Sequence, residues 1–323
     1  MVKLIKLSQI GEISRETTTP DYNMLLQSGI EKADASDPKA ISIAIIIPVH
    51  NEERRISKSI SRTLQFCADQ GWDFQIIIAE DGSTDNTIRI VREFESSLSC
   101  TDTLFIVTSQ QRLGKGGAIR NALSLAQKEY VAYMDADLSA DPAEFRKLIE
   151  NIRDCDVAIG SRKLPGNLPP ANIPFTRMVF SFLYSVLFRT LFCIPVQDLQ
   201  CGFKLFKRDA AELLFNDLRT SKFAFDSEII VRAFMSGLKV KEVPIAWIHD
   251  RSSSKIRIVQ QAKDMGRDLL SIWYQSHMHL HNTKSKKEIG PRWRLIFYLV
   301  SLITEKMIKL SGSIVCLHAN RRK

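Results

Sequence analysis

Residues 41–52, ISIAIIIPVHNE, decide the fold. Ile41–Ile47 is a β-branched run without a polar face, closed by Pro48, the pattern of a strand buried on both sides. Comparable runs recur at Phe74–Ala79, Leu104–Thr108, Tyr130–Met134 and Val157–Ile159. Between them lie helical stretches: Glu52 to about Gln70, Asp85–Glu95, a segment from Gly117 to about Gln127, and Pro142–Ile152. Alternation of this kind predicts an α/β fold, a mostly parallel sheet flanked by helices on both faces. In such sheets ligands gather beyond the carboxyl ends of the strands. Four polar or Gly-rich clusters stand at consecutive strand ends here: Asn51-Glu52, Glu80-Asp81, Leu113-Gly114-Lys115 and Asp135-Ala136-Asp137.

The pattern changes after Gly160. A Pro/Gly/Asn segment, Leu164–Pro174, predicts a loop, and an apolar helix follows at Phe175–Phe192. Gln197–Phe206 reads as a turn and strand, Asp226–Gly237 as a helix, Val240–Trp247 as a strand and Ser254–Ser276 as a basic amphipathic helix. Residues 1–40 read as a loosely structured lead-in. The expected organisation is that lead-in, a domain over 41–260, and a basic helical extension over 261–323.

The chain has 323 residues, 45% of them apolar and 25% charged, which is ordinary globular composition and excludes a minimal disulfide-stapled domain. Its net charge of +9 is unevenly placed. Asp250–Lys323 holds 15 basic and 5 acidic residues, a net of +10, which leaves −1 for the remainder. Such a tail implies an anionic partner. Nucleic acid is not expected, since no helix-turn-helix or aromatic-interleaved RNA motif accompanies it. The six cysteines are scattered without a CxxC pair, which points to a reducing compartment, and the polar first 40 residues do not read as a signal peptide. Met178–Phe188 and Leu295–Ile303 are apolar but shorter than the roughly 20 residues a spanning helix needs. Each has the length of a core helix or of an interfacial one with basic flanks.

Carboxylates at i and i+2 after a buried strand, Asp135 and Asp137, are hard oxygen donors suited to Mg²⁺ or Mn²⁺ bridging a ligand's phosphates. The competing reading is a helix start, with Ser139 or Asp141 as cap. Glu80 and Asp81 suit hydrogen bonds from a nucleoside, whereas Asp85 is explained as an N-cap. Gly114-Lys115-Gly116-Gly117 opens a helix, where backbone N–H groups favour an anion, although it matches neither common phosphate-loop pattern. His277, His279 and His281 fall on one side of a strand or around a loop, and an accidental cluster is the simpler reading. Arg292-Trp293 lacks the glutamine three residues earlier that a processive polysaccharide synthase would carry, since Ile289 stands there.

Taken in order, PVHNE, EDGSTD, GKGGA and DAD resemble the GT-A (Rossmann-like) domain of family 2 glycosyltransferases. Gly160-Ser161-Arg162, DLQCGFKLF (198–206), FAFDSE (223–228), VKEVPIAW (240–247) and Ser253-Ser254-Lys255 are similar to the dolichyl-phosphate glucosyltransferase and mannose synthase group, the QCGFK and FxFDxE segments more to the glucosyl branch. The resemblance covers residues 41–260. It implies a nucleotide-sugar donor held by Pro48, Asn51, Glu52, Asp81, Lys115, Gly116 and Asp135. It implies a metal on Asp135 and Asp137, with Ser139 where the mannose synthases have a glutamine ligand. Arg162, Arg177 and Lys255 fall where the family places basic residues around an acceptor phosphate.

The expected reaction is inverting transfer of a hexose, glucose from UDP-glucose, to a polyprenyl monophosphate. Phosphate is largely ionised near neutral pH and needs no general base. A hydroxyl acceptor would need one, and Asp198 and Asp226 are the candidates, Asp226 equally as a helix cap. The alternatives are mannosyl transfer from GDP-mannose, another family 2 transfer to a glycan hydroxyl, and a non-catalytic nucleotide-binding scaffold, against which both acids of DAD stand. The basic tail reads as a peripheral anchor to anionic lipid at the cytoplasmic face of a membrane, joined by C-terminal interfacial helices.

Overall fold

The structure, a computed structural model, describes residues 41–98, 103–165, 175–220, 224–248 and 258–282. Within them the strands β1 (Ser42–Val49), β2 (Asp73–Glu80), β3 (Leu104–Thr108), β4 (Tyr130–Met134), β5 (Val157–Ser161), β6 (Phe203–Lys207) and β7 (Val240–Pro244) form one sheet. Its order is β3-β2-β1-β4-β6-β5-β7. The helices are α1 (Ile56–Asp69), α2 (Thr87–Ser97), α3 (Lys115–Leu123), α4 (Phe145–Ile152, entered through a 3₁₀ turn at Pro142–Glu144), α5 (Phe175–Phe192), α6 (Arg208–Asn216), α7 (Phe225–Met235) and α8 (Ile258–Asn282).

The isoleucine run of β1 sits where its sequence requires. Ile43, Ile45, Ile47 and Val49 face one hydrophobic layer, packed with α1, α2 and α4. Ala44 and Ile46 face the other, built with α3, α5, α6, α7 and α8. Alternation along the pleat divides one apolar run between two cores, which is why a central parallel strand carries no polar face.

The sheet is mostly parallel, as expected, with β6 as the exception. It pairs antiparallel with β4 on one side and β5 on the other, while β1, β2, β3 and β4 run parallel, as do β5 and β7. Apolar periodicity marks Phe203–Lys207 as a buried strand but carries no direction. The reversal matters for the site: the residues that lead into β6 arrive at the same rim as the carboxyl end of β4.

Two other departures are local. The helix α6, directly after β6, has no counterpart in the sequence reading. The helix α8 runs through Asn282, beyond the expected end at Ser276, so the backbone at His277, His279 and His281 is helical rather than strand or loop, and i, i+2 and i+4 no longer share one side. It also crosses the expected boundary at 260 and places Leu269 and Ile272 in the core. The lead-in 1–40 and the Leu295–Ile303 segment lie outside the described residues.

Ile45 is fully buried in the central strand. Ile45→Ala is expected to destabilise the fold by about 2–5 kcal/mol, read from urea unfolding, with little change in the slope of the transition.

Candidate functional site

The first two strand-end loops are locked together. Asn51, in a left-handed conformation at φ 58°, donates its N–H to Ser83 Oγ at 3.0 Å, and its Oδ1 accepts from Thr84 N–H at 2.8 Å. Glu52 N–H donates to Thr87 Oγ1 at 2.8 Å, and Glu53 Oε2 accepts from Asn86 N–H at 3.0 Å. His50 Nδ1 contacts the Asp81 carbonyl oxygen at 2.9 Å. Glu80 is buried and turned inward to accept from Ser83 N–H. The polar residues that sequence reading assigns to donor binding here are thus partly spent on shaping the loops, and Pro48 lies within β1 itself.

Asp81 organises the third loop. Its carboxylate is buried and accepts the backbone N–H groups of Leu113 and Gly114, the latter at 2.9 Å. Gly114, at φ 80°, turns the chain into α3. Lys115, the first residue of α3, reaches across the rim to Asp135, Nζ to Oδ1 2.6 Å, with 19% of its side chain exposed. Burial alone would lower the Lys115 pKa, but Asp135, with Asp226 and Asp137 further off, outweighs it and holds it raised. Gly116 has a packing reason: a Cβ there would lie 2.6 Å from Cβ and Cγ of Phe225 at the start of α7.

Asp135 and Asp137 follow β4 at the rim, joined by Glu52. Burial pushes the Glu52 carboxyl up; Arg55, 3.2 Å away, pulls it back, and the negative charges of Asp137 and Asp135 push it up again. Asp137 Oδ1 accepts from Ser139 N–H at 2.9 Å, and the Ser139 carbonyl accepts from Ile248 N–H at 2.8 Å, so Ser139 acts here through its backbone. Gly202 is a residue that sequence reasoning missed. A Cβ at that position would stand 2.1 Å from Asp135 Oδ2, so the carboxylate fits only against a glycine. The available signal was its place in QCGFK.

Divalent metal is compatible with this donor set. Three carboxylates share one electrostatic neighbourhood, faced by Lys115 and Arg55, and a further cation would relieve their repulsion. Among the described residues no group of three or more His, Cys, Asp or Glu side chains is arranged to hold a metal. Two aspartates completed by phosphate and water oxygens is the donor pattern that Mg²⁺ favours.

The two candidate bases are both occupied. Asp198 is buried and clamps Arg162 in a bidentate pair, Nε to Oδ2 and Nη2 to Oδ1 each 2.7 Å, and also accepts Arg162 N–H at 2.9 Å. Burial would raise its carboxyl, but the guanidinium outweighs this and holds it below its ordinary value. Glu242 accepts the N–H groups of Gln197 and Asp198, each at 2.9 Å, and fixes the turn. Arg162 stacks over Trp247 at 5.2 Å. Asp226 is buried and accepts from Lys204 Nζ and Tyr133 OH; it is the second residue of α7 and makes no cap. Asp198, held below its ordinary value by Arg162, is a poor proton acceptor, and Asp226 is enclosed in the core by Lys204 and Tyr133. Arg177 is the third residue of α5, though its side chain and all of Lys255 lie outside the described residues. Lys163, beside Arg162, donates to Ser185 Oγ at 3.2 Å, and its pKa is lowered by burial and by Arg162 and Arg189.

The Arg162–Asp198 pair sets a pH-dependent stability. The folded carboxyl lies below its ordinary 3.8, so its ionised form stabilises the fold above that pH, and this contribution is lost as pH falls through the lower folded value. Asp198→Asn leaves a partly buried guanidinium without its charge partner and is expected to cost about 1–3 kcal/mol at neutral pH by chemical denaturation. The gap between the two proteins should close in acid below that range.

Comparison with known proteins agrees with this architecture. The family model described as Glycosyl transferase family 2 matches residues 44–215. Dolichyl-phosphate beta-glucosyltransferase of Saccharomyces cerevisiae is 32% identical over 73% of this chain and 75% of its own length. Glycosyltransferase AglD of Haloferax volcanii is also 32% identical, over 75% of this chain, a match that spans 38% of that protein. Among solved structures, glucosyl-3-phosphoglycerate synthase of Mycobacterium tuberculosis in complex with Mn²⁺, UDP-glucose and phosphoglyceric acid aligns with a TM-score of 0.54 at 18% identity, over 76% of this chain and 83% of that one. The family match covers more than half of the chain and includes the strands and loops that carry the rim acids, so the chain belongs to glycosyl transferase family 2, on a GT-A fold.

Proposed function

We propose that this glycosyltransferase moves glucose from UDP-glucose to a polyprenyl (dolichyl) monophosphate at a membrane face, with inversion and with Mg²⁺ or Mn²⁺ bound. The observation that carries the choice of acceptor is the occupation of both carboxylates that could have served as base. Asp198 is held by Arg162 and Asp226 by Lys204 and Tyr133. A glycan hydroxyl would have no free carboxylate among these two to take its proton. A phosphate monoester, largely ionised at neutral pH, needs none.

Glu52, Asp81, Lys115 and the loops around Asn51 would seat the nucleotide, and Asp135 and Asp137 would hold the metal. The bound ion would offset charge growing on the departing diphosphate. Arg162 uses Nε and Nη2 on Asp198, which leaves Nη1 for an acceptor oxygen, and the resemblance assigns Arg177 and Lys255 to the same phosphate. Orientation of the phosphate against the sugar is then the main contribution of the chain. The names of the relatives favour glucose over mannose. The transferase domain of this reading spans the described residues from Ile41 through α7 and takes α8 as its last packed helix.

Peripheral attachment is supported by α5. Met178, Val179, Phe182, Leu183, Val186 and Leu187 are all exposed on one helical face, and Leu270 and Tyr274 of the neighbouring α8 are exposed as well. Among the described residues no helix is long and apolar enough to cross a membrane. An exposed apolar stripe of this kind, in a chain whose Asp250–Lys323 stretch carries a net charge of +10 in sequence, suits attachment to anionic lipid.

The reaction is tested with purified protein, Mn²⁺, a short polyprenyl phosphate and a panel of UDP- and GDP-sugars. Glucose-lipid product from UDP-glucose is expected, abolished by Asp137→Ala. Preference for GDP-mannose, or product undiminished in the variant, would overturn the assignment. Membrane binding is tested by cosedimentation with anionic vesicles. Phe182→Glu should weaken it roughly tenfold, as for an aromatic side chain withdrawn from an apolar phase, and high salt should weaken it further. Binding that withstands both would remove the role of α5.

A further inference from the structure

Lys204 has no solvent exposure. Its ammonium donates to the Cys201 carbonyl at 2.7 Å, to the Leu199 carbonyl at 3.3 Å and to Asp226 Oδ1, so each of its three N–H groups has an acceptor. The same Asp226 oxygen accepts from Tyr133 OH. Such a buried pair adds little net stability compared with apolar packing, and what it supplies is fixed geometry.

The segments it joins are those around Asp135. Tyr133 lies directly opposite Lys204 in the β4–β6 register and precedes Asp135 by two residues. The Leu199 and Cys201 carbonyls lead into Gly202, the glycine against which Asp135 Oδ2 rests. Asp226 follows Phe225, which abuts Gly116, next to the Lys115 that grips Asp135 from the far side. The Tyr133 ring centroid is 5.8 Å from Lys115 Nζ and 5.4 Å from Lys204 Nζ, so one aromatic ring connects the ion pair at the rim to the buried one.

We infer that Lys204, Asp226 and Tyr133 are positioning residues that hold Asp135 in the geometry required to bind the nucleotide-sugar. The inference rests on the donor-site reading above. None of the three touches the donor; they act by fixing the strand beneath Asp135, the turn beside it and the lysine across from it.

The test uses the full chain and measures UDP binding in the presence of Mn²⁺ by calorimetry, together with KM for UDP-glucose and for a short polyprenyl phosphate. The double variant Lys204→Met/Asp226→Asn removes both charges and leaves neither stranded. Its thermal transition is expected near that of the wild type, with Kd for UDP and KM for UDP-glucose raised about tenfold or more, as for other residues that orient a ligand-binding group. KM for the polyprenyl phosphate should rise less, since Asp198 keeps its clamp on Arg162 and Glu242 keeps the turn. A general loss of structure would lower the active fraction and kcat without this split. Tyr133→Phe, which removes one hydroxyl, should weaken UDP in the same direction to a smaller degree and covers the case in which the double variant fails to fold. A folded double variant, or failing that Tyr133→Phe, with wild-type Kd for UDP would overturn the positioning role and leave the proposed reaction standing. Absence of UDP binding by the wild type would instead remove the donor reading, and the inference with it.

Discussion

The antiparallel pairing of β6 against β4 is the constraint on which the rest of the rim depends. Five antiparallel pairs, from Tyr130↔Lys207 to Met134↔Phe203, fix the register. A parallel β6 would enter from the opposite edge of the sheet and carry Asp198–Gly202 away from the strand-end acids. Reversed, it delivers that turn beside Asp135. The arginine clamp, the glycine under the carboxylate and the buried lysine all follow from one strand direction. A slip of one residue would move Lys204 from its buried partner onto the other face, so the register is held by charge as well as by apolar packing.

The rim is also a problem of charge matching. Its carboxylates fall into two groups with different partners. Asp198 and Asp226 are buried and each has its own cation, Arg162 and Lys204. Asp135, Asp137 and Glu52 are nearer solvent and face Lys115 and Arg55, so negative charge is left over at the opening. The buried pairs build the scaffold, and the residual charge sits where a cation can enter. Charge kept in excess at a partly exposed point is cheap in water and becomes strong once a ligand closes over it. The same acidic residue type therefore does structural work at one depth and lies nearer solvent, in the proposed donor site, at another.

Much of this was legible in the sequence. The Ile41–Ile47 run and its successors specify a parallel sheet because a strand buried on both faces must be apolar on both, and β4 falls at Tyr130–Met134 as read. Strand-end placement of Asn51-Glu52, Glu80-Asp81, Lys115 and the DAD acids follows from the alternation alone. What periodicity cannot carry is direction: the strand at Phe203–Lys207 was legible, but its reversal, and with it what the strand brings to Asp135, was not. It cannot rank partners either: Asp198 and Asp226 read as possible bases because a sequence does not show that Arg162 and Lys204 reach them. Gly116 read as an anion cradle, while the structure adds a tight contact with Phe225, more than a hundred positions away. Long-range contact is the common cause of these gaps.

The two ends of the proposed acceptor have opposite requirements, and the chain meets them on adjacent elements. A polyprenyl phosphate needs cations for its head and an apolar surface for its tail. The loop after β5 supplies Arg162 and Lys163, and α5 begins shortly afterwards. Lys163 donates to Ser185 on the buried side of that helix, while Phe182, Leu183, Val186 and Leu187 on its other side meet solvent. Arg189, near the end of the same helix, bonds back to the Ser185 carbonyl and keeps its charge close to Lys163. A single helix thus joins a cationic base to an apolar flank. The acceptor proposed above, an amphiphile with an anionic head, would match the cationic loop and the apolar flank together.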